Sequence, residues 1–366
     1  MGSLGQGFRF DTYNGTGSTS ASTTIMLPQG LKQVVDTGMG SLSFSSLIAI
    51  QNTSTSASAN VQITYYQVAG GTLVRNLAPI PIGAAAFVNL DNDAGLPAGW
   101  LGPIMITSDA AVAVTINQNA AGALSAYPGF LPSRASATLY FPQVLYAVND
   151  ANTASQWGTA ISVLVSDQTN AQVRVTYDDG VNPAFTDTKT ASPYALFDQR
   201  FDMPRLGKAR FYGTAKIESL TSGKTLFAII NAQTNYNSST GVNLLTATHF
   251  ATTDGTTTVF APQVMRRYTD AGSGVTWSTS INGRFLGGST ATINYTYYKS
   301  DGSTSTGSYV PSGTNFLIDQ VYDSHISDGQ HGAMVLTSTQ PFAITVNTTG
   351  QSPHGDASGV YIGVGQ

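Results

Sequence analysis

One short pattern recurs three times along the chain, and it limits the possible folds more than any other feature. Pro28-Gln29 closes the run Ile25-Met26-Leu27, returns as Pro142-Gln143 after Tyr140-Phe141, and returns again as Pro262-Gln263 after Phe260-Ala261. The spacings are 114 and 120 residues. Two further landmarks keep step. A Thr-Tyr pair ends an alternating run at Thr64-Tyr65, Thr176-Tyr177 and Thr296-Tyr297, lying 36, 34 and 34 residues beyond the Pro. An apolar run ends in Asn117, Asn231 and Asn347, lying 89, 89 and 85 residues beyond it. Ordered landmarks at matching offsets in three places predict three copies of one unit.

Within each unit the apolar residues alternate with period 2, as strands require, and no stretch carries helix caps with a helical apolar stripe longer than two turns. Short runs rich in Val, Ile, Thr and Tyr are separated by turn residues such as Gly70-Gly71, Asp178-Asp179-Gly180 and Ser300-Asp301-Gly302. A unit of about 115 residues with roughly seven such runs has the size of an immunoglobulin-like sandwich. The expected fold is therefore all-β: three tandem immunoglobulin-like β-sandwich domains over 23–130, 131–245 and 246–366, with an N-terminal strand extension over 1–22. Trp157 and Trp277 each open a strand 120 residues apart, and Phe44 takes that place in the first unit. Packing at the core edge accounts for them more simply than a carbohydrate-stacking platform, which needs several coplanar exposed rings.

Composition narrows the function. Charged residues make up 10% of the chain, against roughly 25% in ordinary soluble proteins. Ser, Thr, Gly, Asn and Gln fill the gap. A polar but uncharged surface is cheap to desolvate against another protein, because hydroxyls and amides can pair again there. The net charge is −4 and no basic run exists, so a nucleic-acid partner has no electrostatic footprint. Cysteine is absent, which removes disulfides, thiol chemistry and the usual soft metal ligands. No run of about 18 apolar residues is present, so no membrane-spanning helix is expected. Met1-Gly2-Ser3-Leu4 lacks the basic and apolar regions of a secretory leader. Either a leader has already been removed or the protein is not exported by that route.

The landmarks resemble those of secreted bacterial cell-surface proteins with tandem β-sandwich repeats. That repeat runs Trp-x-Thr-x-Ile-x-Val-x-Asn, then Leu-Pro-x-Gly-Phe-x-Gly-Ser-Ala, and closes with Tyr-Asn-Gly. Trp157-Gly158-Thr159-Ala160-Ile161 and Trp277-Ser278-Thr279-Ser280-Ile281 match its opening. Leu96-Pro97-Ala98-Gly99-Trp100-Leu101-Gly102, Thr107-Ser108, Asn117 and Tyr127-Pro128-Gly129 follow the rest in the first unit. Gly332-Ala333, Thr337-Ser338, Phe342-Ala343 and Asn347 follow it in the third. The second unit diverges: it keeps Gly213-Thr214-Ala215 and Asn231, with three more residues between Gly and Asn than the 15 of the other two. The resemblance implies an extracellular or cell-surface location and a scaffold or adhesive role.

The closing motif also occurs where no unit precedes it. Tyr13-Asn14-Gly15 lies 15 residues before Pro28, just as Tyr127-Pro128-Gly129 lies 15 before Pro142 measured from the Tyr, and Tyr361-Ile362-Gly363 stands near the C-terminus. A chain that starts with the end of a repeat suggests strand complementation between copies, with 1–22 of one subunit docking on the C-terminal unit of the next. The residues expected at that contact are Phe8, Phe10, Tyr13, Gly15, Tyr361 and Gly363. The alternative is that 1–22 folds back on its own first unit.

Signals for chemistry are sparse. His325 and His331 sit among Asp323, Ser324 and Asp328, the densest titratable stretch, but the matching loops of the other units hold no histidine. A surface loop explains it better than a hydrolase triad or a metal site. Asp91-Asn92-Asp93 and Asp178-Asp179-Gly180 are weak calcium candidates through Asp91, Asp93, Asp178 and Asp179. They lack the spaced ligands and terminal Glu of an EF-hand, and Asp-Gly is better read as a hairpin turn. No catalytic residue, no cofactor and no enzymatic activity are expected. The reading is a structural subunit of an extracellular filament or surface layer, pilus-like and built head to tail from itself. The alternatives are a cell-surface adhesin binding glycans or protein through loops at the sandwich ends, and a viral structural protein.

Overall fold

The computed structural model describes residues 21–37, 41–67, 70–120, 123–149, 156–234, 246–253, 255–351 and 357–365. Strands take 64% of the chain and helix 5%, so the all-β expectation holds. Phe8, Phe10, Tyr13 and Gly15, with most of the predicted extension, lie outside the described residues.

The strands fall into three runs. The first holds β1 (Ser22–Lys32), β2 (Val34–Asp36), β3 (Leu42–Asn52), β4 (Val61–Tyr66), β5 (Thr72–Asn76), β6 (Ala85–Asn89), β7 (Trp100–Ala120) and β8 (Ala123–Pro128). The second holds β9 (Thr138–Tyr146), β10 (Val148–Asn149), β11 (Gln156–Val165), β12 (Ala171–Asp178), β13 (Phe185–Ala191), β14 (Tyr194–Asp198), the short helix α1 (Gln199–Arg205), β15 (Phe211–Ser219), β16 (Leu226–Thr234) and β17 (Thr246–Phe250). The third holds β18 (Thr256–Arg266), β19 (Tyr268–Thr269), β20 (Thr276–Phe285), β21 (Ile293–Lys299), β22 (Thr304–Tyr309), β23 (Asn315–Asp319), β24 (Gln330–Gln351), β25 (Ala357–Ile362) and β26 (Val364–Gly365). Among the described residues the strands pair antiparallel.

In the second segment β13-β12-β15-β9 forms one sheet and β10-β11-β16-β17, with β14 beside β11, forms another. The inward faces of the two meet in one apolar cluster that includes Phe141, Val175, Tyr177, Ile161, Phe197 and Ile230. In the first and third segments a single strand of 21 or 22 residues, β7 or β24, runs through both layers. It pairs with β1 and β4 (or β18 and β21) in its first half and with β3 and β8 (or β20 and β25) in its second. The three extra residues of the second segment explain the difference. They place a turn at Leu220–Thr225, with Gly223 at φ +74, where the other segments continue as strand. Separate clusters fill the first segment, around Ile25, Ile48, Tyr65 and Ile116, and the third, around Val259, Ile281, Tyr297 and Val346.

The Pro-Gln landmark is a β-bulge. Leu27 faces Ile104 and Gly30 faces Gly102, so Pro28 and Gln29 share the single residue Pro103. Phe141 faces Ala215 and Val144 faces Gly213 around Pro142-Gln143, and Ala261 faces Met334 and Val264 faces Gly332 around Pro262-Gln263. A bulge is where a strand tolerates proline, since the missing N–H breaks no ladder bond there. The glycine opposite is also required. A Cβ on Gly102, Gly213 or Gly332 would sit 2.1–2.4 Å from the carbonyl oxygen of Tyr66, Asp178 or Tyr298. Each bulged strand then turns through a residue in the left-handed region, Gln33, Ala147 or Arg267, into the short strand that follows.

The closing motif completes the bulge in the first segment. The Tyr127 hydroxyl accepts the Gln29 N–H at 3.1 Å and donates to the Gln29 carbonyl. Gly129 donates to Val114 and Gly363 to Ile344 from the same place in their segments; Ala251 does so to Ala228 in the second. The closing strands pair accordingly, Tyr127 with Ile116, His249 with Ile230 and Tyr361 with Val346. Tyr361 thus lies on a strand that belongs to its own segment.

Candidate assembly surface

The bulge turns the Gln side chain out of its own sheet; the Gln29 side chain reaches the second segment, and Gln143 is buried where the second segment meets the third. Gln29 is 4% exposed; its Oε1 accepts from Asn231 Nδ2 at 2.6 Å and from Gln118 Nε2 at 2.9 Å. Beside it, Met26 packs between Leu164 and Phe227, and the Phe130 ring centroid lies 5.6 Å from that of Phe227. At the rim, Arg200 Nη1 donates to both carboxylate oxygens of Asp36 at 2.7 and 2.8 Å, and Gln233 Nε2 adds a bond at 2.9 Å. Burial alone would depress the Arg200 guanidinium, yet Asp198 and Asp36 raise it above its ordinary value. The cation is fixed.

The second and third segments meet in the same way with different chemistry. Tyr140, two residues before its Pro as Met26 is, lies under the Arg284 guanidinium at 5.9 Å. Arg284 donates to Thr214 and approaches Asp178 Oδ2 at 3.4 Å. Asn315 Nδ2 donates to the Asp178 carbonyl at 2.6 Å, Thr314 Oγ1 to the Asp178 carboxylate at 2.9 Å, and the Tyr212 hydroxyl to Asn282. Burial in this joint lowers the Arg284 pKa against the opposing pull of Asp178 and Tyr140. Gln143 is 6% exposed.

The registers make the two joints equivalent position by position. Ile161 pairs with Ile230 and Ile281 with Val346; three residues on stand Leu164 and Arg284, the contacts of Met26 and Tyr140. The closing strands follow suit, since β17 lies beside both β8 and β25. One half of each joint is the bulged strand. The other half is the outer face of the sheet carrying β11, β14 and β16, or β20, β23 and β24.

The two remaining halves are exposed. Pro262 and Gln263 are exposed and Phe260 half-buried, whereas Pro28, Gln29, Pro142 and Gln143 are buried. On the first segment, Ile48 pairs with Ile116, so Gln51 holds the place of Leu164 and Arg284. Gln51 and Ala85 are exposed, Ala49 and Thr115 half-buried, and Phe87 is 70% exposed. A shallow groove at the end of that face is lined in part by Ser43, Ser45, Asp91 and Asn119. Asp91 and Asn119 there correspond to Arg200 and Gln233, the partners of Asp36.

The calcium candidates are each engaged by protein groups. Asp91 accepts the Ser45 hydroxyl at 2.5 Å, while Asp93 pairs with Arg75 at 3.0 Å and its carbonyl accepts Lys32 Nζ at 2.6 Å. Asp178 belongs to the second joint, and Asp179 accepts from Val181 and Asn182 in a local turn. Among the described residues, no group of three His, Asp or Glu side chains could hold a metal ion. The histidine stretch is divided as well. His325 Nδ1 lies 2.7 Å from Asp323 and 3.3 Å from the Tyr295 hydroxyl, whereas His331 Nδ1 faces Ser300 Oγ at 3.4 Å and its ring lies against Tyr268. Asp328 is taken by Arg266 and Arg267. Among the described residues no helix is long and apolar enough to cross a membrane.

In the sequence Pro-Gln stands out only as a landmark, and nothing there singles out Asp36, Phe87, Arg200 or Arg284. The signal was available in part. A glutamine that follows each recurring proline has no role inside a sandwich, so its recurrence points to a contact outside it. Arg200 and Arg284 could not be found that way, because they occupy different positions in their segments.

No protein-family model matches the chain, and no curated protein does. Among solved structures, the crystal structure of Thermotoga maritima 1070 aligns over 30% of this chain and 93% of its own, at 19% identity and a TM-score of 0.25. A structure concerning host cell surface retention of a 1.5-MDa bacterial ice-binding adhesin aligns over 93% of this chain and 97% of its own, at 12% identity and a TM-score of 0.12. Scores this low carry no statement about fold or function.

Proposed function

We propose that the chain is a structural subunit of an extracellular filament or similar surface layer, joined head to tail to further copies of itself. In this reading residues 23–130, 131–245 and 246–366 are three tandem immunoglobulin-like sandwiches of the secreted cell-surface type that the repeat motif resembles. The observation that carries it is the joint. Consecutive segments are held by buried apolar contacts and hydrogen-bonded side chains, which resist bending as a load-bearing element must. A surface poor in charge supports it, because contact between copies then costs little desolvation. Each added copy would also stabilise the fold by mass action. No reaction, cofactor or nucleic-acid partner is part of the proposal.

Negative-stain microscopy of the purified protein over a concentration series tests it. Linear or sheet-like assemblies are expected, and particles of monomer size at every concentration would end the reading. Deleting residues 1–22 separates terminal strand docking from contacts made elsewhere, since loss of assembly in that variant assigns the joint to the N-terminus.

A second reading, an adhesin that binds glycans, has one observation in its favour. A groove on the third segment is lined by Tyr295, Tyr298, Asn294, Thr306 and His325, with Tyr298 half-exposed at 51%. Aromatic rings flanked by amides and hydroxyls suit a sugar face and its hydroxyls. A glycan array probed with monomeric protein distinguishes this from the structural role.

A further inference from the structure

The intramolecular joint is heterologous: the bulged strand of one segment sits on the sheet face of the next, and the two halves are different surfaces. A heterologous contact repeated with one operator either closes into a ring or continues without end. Closure at three would bury the bulged strand of the third segment on the sheet face of the first. The opposite is observed, with Pro262 and Gln263 exposed and Phe87 70% exposed. One half of each kind is therefore left exposed among the described residues.

We propose that these two halves join between molecules. The outer face of β3, β6 and β7, presenting Ala49, Gln51, Phe87 and Thr115, receives the bulged strand β18, with Phe260, Pro262 and Gln263, of a second copy of this chain. The occupant is another copy because the matching half is already built twice in this one. Gln263 stands where Gln29 and Gln143 stand in the buried joints, and Phe260 where Met26 and Tyr140 stand. Asn117, which corresponds to Asn231, stands on the receiving face at the place that lies against Gln29 in the first joint. In the same register β25 of one copy comes beside β8 of the next, as β17 lies beside both of them within one chain. The product is an open array in which segments follow one another across molecular boundaries as they do inside the molecule. This proposal rests on the structural-subunit reading and adds the surface through which the copies meet.

The chain contains no cysteine, so introduced thiols are unique reporters. A variant carrying Gln263→Cys and Asn117→Cys is oxidised mildly at assembling concentration and run on a non-reducing gel. A ladder of dimer, trimer and higher species is expected, while either single variant yields at most a dimer. Phe87→Asp, at an exposed position that leaves the cores untouched, should raise the concentration for half-assembly at least tenfold by sedimentation velocity, with an unchanged melting curve. Wild-type protein that assembles, with a double-cysteine variant that gives no ladder and a Phe87→Asp variant that assembles equally well, overturns this joint and leaves the subunit reading intact. A ladder that stops at the dimer overturns the open array. Wild-type protein that stays monomeric at every concentration overturns both.

Discussion

Tyr127 illustrates how much one side chain decides. Its hydroxyl serves both backbone groups that the bulge strips from the ladder at Gln29, and full burial pushes its pKa well above the ordinary phenol value. Tyr127→Phe keeps the packing and leaves a buried N–H and C=O without a partner. The expected loss is about 1–3 kcal/mol in urea unfolding, the cost of an unpaired buried polar group. A smaller change than the experimental error would mean that water replaces the hydroxyl. Asp323 offers a test with a sign. Burial alone would raise its carboxyl, but bonds from the His325 N–H and ring and from the Tyr297 hydroxyl hold it below the ordinary value. A group depressed in the folded state stabilises above its unfolded value of about 3.9 and loses that contribution as pH falls through the folded one. Asp323→Asn should therefore lower the melting temperature at pH 7, with the gap to wild type narrowing in acid. A gap independent of pH would show that the carboxylate charge plays no part.

At the scale of an element, the bulged strand carries two demands at once. Residues before the Pro and after the Gln must point into the core, and the two-for-one count lets residues three apart do so. Val144 and Phe141 are both fully buried on this account. Deleting Gln143 leaves Pro142 alone opposite Thr214, so the core residues on either side keep their face while the bulge and the glutamine side chain are lost. The expected result is a second segment that still unfolds cooperatively, with a looser contact to the third segment read as earlier proteolysis between the two. Loss of cooperative unfolding of the second segment would refute this account of the bulge. The turn at Leu220–Thr225 carries no such demand, since the other two segments run through that point as continuous strand.

For the whole molecule, the interior joints and the proposed outer one differ at the rim. Asp36 meets Arg200, but the corresponding pair across molecules is Asp270 and Asp91. Two carboxylates repel where an ion pair attracts, so the joint between copies is weaker than the joints within one. That asymmetry lets the chain fold before it assembles. Screening over a Debye length of about 10 Å at 0.1 M salt should remove much of the repulsion. Raising sodium chloride from about 10 mM to about 150 mM is expected to lower the concentration for half-assembly in sedimentation. Weaker assembly with salt would contradict the proposed rim.

What the amino-acid order fixed without help was local and periodic: the alternation that makes strands, the turns between them, and the threefold recurrence of Pro-Gln, Thr-Tyr and the closing Tyr-x-Gly. These follow from backbone sterics and from the two-sided pleat, so nearest neighbours in sequence suffice to express them. The three extra residues before Asn231 are legible in the sequence, but that one long strand divides into two there is seen only in the structure. Only the tertiary structure decided that Gln29 and Gln143 are buried while Gln263 is not. It also brought Asp36 to Arg200, 164 positions away, and Tyr140 beneath Arg284. Burial between segments depends on which faces meet in space, and no local pattern distinguishes a glutamine that will be covered from its equivalent that stays exposed.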